Sequence, residues 1–120
     1  GTRLKPKDFV FALRFGKHEK AWPLTVFKGG KVINDTVGDL DVVLIGDAVT
    51  RTVRAYHANG RNFSAVAVGL DKIEAEGKKW RVEEDALRGP DGERLPRLPG
   101  HIAYYFAWSG FKTGAPLYGD

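Results

Sequence analysis

The apolar and polar positions of this chain alternate with the period of β-structure along most of its length. In "FVFALRF" (9–15), Phe9, Phe11, Leu13 and Phe15 fall on one face and Val10, Ala12 and Arg14 on the other, the period-two pattern of a strand. Gly16-Lys17-His18-Glu19 predicts a turn, and "AWPLTVF" the returning strand. Pro23 offers no ladder donor, which assigns that strand to an edge or a bulge. A second turn is expected at Lys28-Gly29-Gly30-Lys31, with a short strand starting at Val32-Ile33. "LDVVLIG" (40–46) is apolar almost throughout, as a strand covered on both faces must be. "RTVRAYHA" and "NFSAVAVG" flank Asn59-Gly60, which predicts a hairpin. A further hairpin is expected to turn near Glu76-Gly77, and Pro90-Asp91-Gly92 marks a tight turn, with Pro presetting φ and Gly taking the left-handed position.

The pattern changes after Pro99-Gly100. "HIAYYFAWSGF" has apolar residues on nearly every side and predicts a buried helix of about three turns, starting at His101 and closed by Gly110. No repeat or low-complexity segment interrupts the chain. The expected fold is therefore mainly β: a single antiparallel domain over 1–120, sandwich- or barrel-like, with one short C-terminal helix.

Composition changes this picture little. With 120 residues, 42% hydrophobic and 28% charged, the chain has the size and balance of one globular domain with its own core. No apolar run reaches the ~20 residues that a membrane helix requires. The absence of cysteine excludes disulfides, thiolate metal sites, a cysteine nucleophile and c-type haem attachment on this chain. The chain begins at Gly1 and contains no Met, which reads as a processed or excised piece of a longer, exported protein. The net charge of +4 is modest. Its densest basic cluster, Lys78, Lys79 and Arg81 around Trp80, reads as a solvated strand face rather than a nucleic-acid patch.

Candidate chemistry centres on Asn34-Asp35-Thr36, a polar triplet between two apolar runs. With Asp39 and Asp41 it offers oxygen ligands for a cation, but the spacing lacks the alternating pattern of a calcium loop. The competing reading makes the triplet a turn whose side chains bond nearby backbone amides. The three histidines, His18, His57 and His101, match no metal-ligand spacing in sequence. Ser64 and Ser109 lack a nucleophile-elbow context, and the Gly-Lys steps lack the rest of a phosphate loop. Asn34-Asp35-Thr36 and Asn62-Phe63-Ser64 match the N-glycosylation sequon, a pattern common by chance. The aromatic group Tyr104, Tyr105, Phe106, Trp108 and Phe111 reads as core packing, each buried ring contributing on the order of 2 to 3 kcal/mol.

Several of these pieces, in this order, resemble the domain of unknown function 3179. Ala21-Trp22-Pro23-Leu24 is similar to that family's A-Y-P-L element. "VINDTVG" (32–38) is similar to its W-H-E-I-V-N-D-T-x-G segment, and Val42-Val43-Leu44 to the apolar strand that follows. Asn59-Gly60-Arg61 resembles its hairpin, and "RLPGHIAYYFAW" (97–108) its closing leucine-proline turn and aromatic helix. The similarity runs from about residue 8 to 119. Two departures stand out: Gly29-Gly30-Lys31 replaces Trp-His-Glu, and the region of Gly46-Asp47-Ala48-Val49 replaces C-P-L-C. Thiols and an imidazole are what a soft-metal or redox site uses, and this chain lacks them at those positions. The resemblance implies a non-catalytic, extracytoplasmic structural or interaction module, part of a multi-domain exported or redox-associated assembly. The partner expected for such a module is another protein or other domains of the same polypeptide, and no cofactor is expected. The alternative is a ligand-, metal- or haem-binding domain, catalytic or not, with a site rebuilt from Asp35, Asp39, His57 and His101. In the first reading Asn34 and Asp35 hold structure, satisfying backbone donors between strands.

Overall fold

The computed structural model describes residues 4–111 and 115–119. Among the described residues eleven strands and one helix follow in order: β1 (Phe9–Phe15), β2 (His18–Pro23), β3 (Lys31–Val37), β4 (Leu40–Asp47), β5 (Thr52–His57), β6 (Ser64–Ala65), β7 (Lys72–Ala75), β8 (Lys78–Val82), β9 (Ala86–Arg88), β10 (Arg94–Leu98), β11 (Gly100–Tyr104) and α1 (Tyr105–Phe111). A single 3-10 turn, Leu24–Phe27, links β2 to β3. The strands form two antiparallel sheets. A small one has the order β11-β1-β2, and a large one the order β3-β4-β5-β10-β9-β8-β7-β6. The large sheet curls until β3 and β6 approach each other, giving a nearly closed barrel.

Three apolar clusters set the layering. One fills the barrel: Val43, Ile45, Tyr56, Phe63, Ile73, Trp80, Leu87 and Leu95. A second lies between the barrel wall and the small sheet, with Phe11, Leu13, Trp22, Phe27, Val42, Leu44 and Leu98. The third sits on the far face of the small sheet, where Val10, Ala12 and Ala21 meet Trp108 of α1 and Leu117. β4 therefore sends Val43 and Ile45 to one core and Val42 and Leu44 to another, as its unbroken apolar run requires. β1 divides in the same way, with Phe11 and Leu13 on one side and Val10 and Ala12 on the other. β2 is an edge strand ending at Pro23. Its outer rim is taken at Ala21, which accepts from the Tyr118 amide at 2.8 Å and donates to the Pro116 carbonyl at 3.2 Å.

The hairpin at Glu76-Gly77 forms as expected, with both residues at positive φ. Several local expectations are corrected, the first being "AWPLTVF", where β2 ends at Pro23 and Leu24–Phe27 coils into the 3-10 turn instead of continuing the strand. Asn34-Asp35-Thr36 stands inside β3; the turn follows at Gly38-Asp39, where Gly38 takes the positive φ that a two-residue hairpin needs at its first position. Asn59-Gly60 does turn, the Arg61 amide donating to the Ala58 carbonyl, but it joins no hairpin. β5 pairs with β4 and β10, and β6 pairs with β7. His101 does not start a helix: residues 100–104 pair with β1, and the helix begins only at Tyr105. Gly110 lies inside that helix rather than beyond its end. The amides of Tyr105 and Phe106 donate to the carbonyls of Asp8 and Pro6, which fixes the strand-to-helix junction.

Candidate functional site

Neighbouring residues on a strand point to opposite faces, and Asn34 and Asp35 use this to tie β3 on both sides. Asn34 faces β6. Its Nδ2 donates to the Phe63 carbonyl at 2.7 Å, and its Oδ1 accepts from the Phe63 amide at 2.8 Å. A primary amide thus supplies the donor and acceptor that a strand residue would present, and bridges the gap where the barrel falls short of closing. Asp35 faces the small sheet. Its Oδ2 accepts from the indole Nε1 of Trp22 at 2.9 Å, and Lys20 Nζ lies 2.9 Å from the same oxygen. Its Oδ1 accepts from the backbone amide of Thr36 at 2.8 Å. Trp22 is fully buried, so its N–H needs this acceptor. Lys20 also rests near the rings of Trp22 and Tyr118.

The other candidates lie elsewhere. Asp39, in the β3–β4 turn, shares a shallow recess of about 340 Å³ with Asp41, His57, Asn59 and Arg94. The His57 ring meets Phe15 edge-on, with ring centres 5.9 Å apart. His101 on β11 opens into a different recess, about 450 Å³, between the small sheet and α1, with Arg14, Glu19 and Trp108. Thr36 is exposed. Among the described residues no three or more His, Asp or Glu side chains are grouped to hold a metal ion. The structure thus brings Asp39 and His57 to one recess, places His101 in another, and engages Asn34 and Asp35 in the frame. Asp41 also lines the first recess, apart from the Asn34-Asp35-Thr36 triplet. Lys20, Trp22 and Phe63 escaped sequence reasoning because their partners are set by sheet packing. The period-two placement of Lys20 and Trp22 on one face was the available signal.

The aromatic group at the end of the chain divides. Trp108 is buried and Tyr105 packs beside it, as core packing requires. Tyr104 and Phe106 are exposed, contrary to that expectation, because Tyr104 ends a strand and the short helix turns only one side inward. The side chain of Phe111 lies outside the described residues. Tyr104 stacks on Phe9 at 4.8 Å and on Phe106 at 5.7 Å, and the guanidinium of Arg51 covers the Phe9 ring at 4.3 Å. The result is a ladder of three rings with a cation at one end and the exposed Phe106 at the other.

Among the described residues no helix is long and apolar enough to cross a membrane. The family model described as "Protein of unknown function (DUF3179)" matches residues 1–115. No curated protein and no solved structure matches the chain.

Proposed function

This chain belongs to the DUF3179 family of proteins of unknown function, and we propose that it serves as a non-catalytic structural or interaction module outside the cytoplasm. The observation that carries this reading is the engagement of the "IND" segment. Asn34 holds β3 to β6 and Asp35 holds β3 to β2, so the polar residues of the most distinctive motif are occupied in joining sheets. The Phe9–Tyr104–Phe106 ladder supplies an exposed aromatic face of the kind that protein partners cover. A chain without cysteine is also indifferent to an oxidising compartment. Its partner in this reading is another protein or a further domain of the same polypeptide, in an exported or redox-associated assembly.

The alternative, a ligand, metal or haem site rebuilt from Asp35, Asp39, His57 and His101, is served less well. Its members belong to a strand interior and two separate recesses. Elemental analysis and native mass spectrometry of the protein as isolated test the choice. The module reading expects the bare chain mass; a stoichiometric metal or prosthetic group would overturn it. Fractionation of the source cell tests the location, and recovery in the cytosol alone would remove the extracytoplasmic part.

A further inference from the structure

On the outer face of the barrel, four basic residues stand in direct register across four strands. Lys72 of β7 pairs with Arg81 of β8, Arg81 with Arg88 of β9, and Arg88 with Arg94 of β10. Directly opposed residues share a face, and neighbouring strands lie about 4.8 Å apart, so like charges here are crowded at a cost in stability. The fold compensates on one side only. Glu83 takes Arg81 at 3.1 Å and Arg88 at 3.2 Å, and Asp85 takes Arg88 at 3.1 Å and Arg94 at 3.6 Å.

The other side of the row is a recess of about 260 Å³ lined by Lys72, Lys79, Arg81 and Arg88, with Trp80, Gly89 and Pro90 completing the lining. Four cations line it and no acid does. Lys72 and Lys79 have no ion-pair partner among the described residues, and Glu74, registered opposite Lys79, does not line the recess. Lys78 is excluded, being held by Asp91 at 2.9 Å. Arg81 uses one guanidinium nitrogen on Glu83, and Arg88 uses two on Glu83 and Asp85, so N–H donors remain on both. Guanidinium forks beside free ammonium groups match the geometry and charge of a tetrahedral oxyanion.

We propose that this recess is a binding site for a multiply charged oxyanion of the phosphate class, free or carried as an ester on another chain. The site goes beyond the module reading and does not depend on it. The test is calorimetric titration at low ionic strength with two probes, inorganic pyrophosphate and a short phosphoserine peptide. Saturable one-to-one binding of at least one probe is expected, weakening as sodium chloride is added. The K72Q/K79Q variant should bind at least tenfold more weakly, while K17Q/K28Q, altered in turns outside the recess, should match the parent. Tighter binding of pyrophosphate would identify a free anion, and tighter binding of the peptide a chain-borne one; both uphold the site. K72Q/K79Q breaks no ion pair among the described residues but leaves Glu74 without the cation registered opposite it, so its thermal transition should stay close to the parent's. A titration of the unaltered protein followed at the backbone amide resonance of Gly89, which lines the recess, gives a readout independent of any variant. Absence of saturation with both probes, affinity unchanged in K72Q/K79Q, or an unmoved Gly89 amide resonance would overturn the proposal.

Discussion

The indole N–H of Trp22 donates to the carboxylate of Asp35 across 2.9 Å, joining the edge strand of the small sheet to the edge strand of the barrel. The ring is fully buried in the cluster between the two sheets, while the carboxylate stands at the margin of that cluster with Lys20 beside it. One hydrogen bond thus fixes how the sheets lie on each other, and the large ring makes the fit specific.

Replacing Asp35 by Ala should cost about 1 to 3 kcal/mol, since it strands a buried N–H and frees the Thr36 amide as well. Asp35→Asn keeps an acceptor for Trp22 but loses the charge facing Lys20 and the second oxygen that accepts from the Thr36 amide, so it should cost something, though less than Ala. Urea denaturation of both variants decides the matter. Equal stability of Asp35→Ala and the parent would show that the contact holds nothing.

Asn34→Ala should act on the other side of the same strand. With the amide gone, the N–H and C=O of Phe63 lose their partners, and the approach of β3 to β6 loses its bridge. The expected signature is local: the Phe63 amide should exchange with deuterium much faster, while amides in the β4–β5 ladder stay protected. Global loss should be about 1 to 2 kcal/mol. Unaltered exchange at Phe63 would refute the bridging role.

What the sequence disclosed follows the range of the forces involved. The two-sided burial of β4 and the alternation of β1 are local periodicities, and both appear as expected. Glu76-Gly77 forms its hairpin because the turn and both strands lie within one short segment. Asn59-Gly60 carries the same turn signal, yet tertiary pairing claims β5 for β4 and β10, leaving a turn without a hairpin. The segment 100–104 has no clear period, and its pairing with residues 9–13 of β1 makes it a strand where composition favoured a helix. For Asn34 and Asp35 the sequence offers either bonds to nearby backbone amides or ligands of a site, without naming a partner. Their partners, Phe63 and Trp22, come from pairings that no local pattern encodes. The basic row is the same case, since Lys72, Arg81, Arg88 and Arg94 become neighbours only through register.

Gly46 is expected to resist substitution for want of space. It is buried on β4, and a Cβ there would lie 2.9 Å from Phe27 Cδ1, 2.9 Å from Val53 Cγ2 and 3.0 Å from the Thr52 carbonyl oxygen. Gly46→Ala should therefore lower stability by about 1 to 3 kcal/mol through overpacking. Combining it with Phe27→Leu should recover only part, because the backbone oxygen of Thr52 cannot retreat as a ring can. A double-mutant cycle measured by urea denaturation checks this. A Gly46→Ala variant as stable as its parent would show that the strand pair has room to spread.

Tyr56 gives the chain an alkaline limit. Its ring is fully buried in the barrel and its hydroxyl donates to the Glu83 carbonyl at 2.6 Å. Burial raises its pKa above the ordinary 10.0, against the pull of the Arg54 cation in the other direction. The folded state thus holds the phenol's proton more tightly than the unfolded chain does. The stability this provides is complete below pH 10 and is lost as pH rises from there through the folded pKa. Tyr56→Phe should cost about 1 kcal/mol at neutral pH through the lost hydrogen bond, yet its stability should fall less between pH 9 and about pH 11. Chemical denaturation of both proteins across that range tests the sign. Parallel pH profiles would mean that Tyr56 does not ionise on unfolding, and that the alkaline loss belongs to other groups.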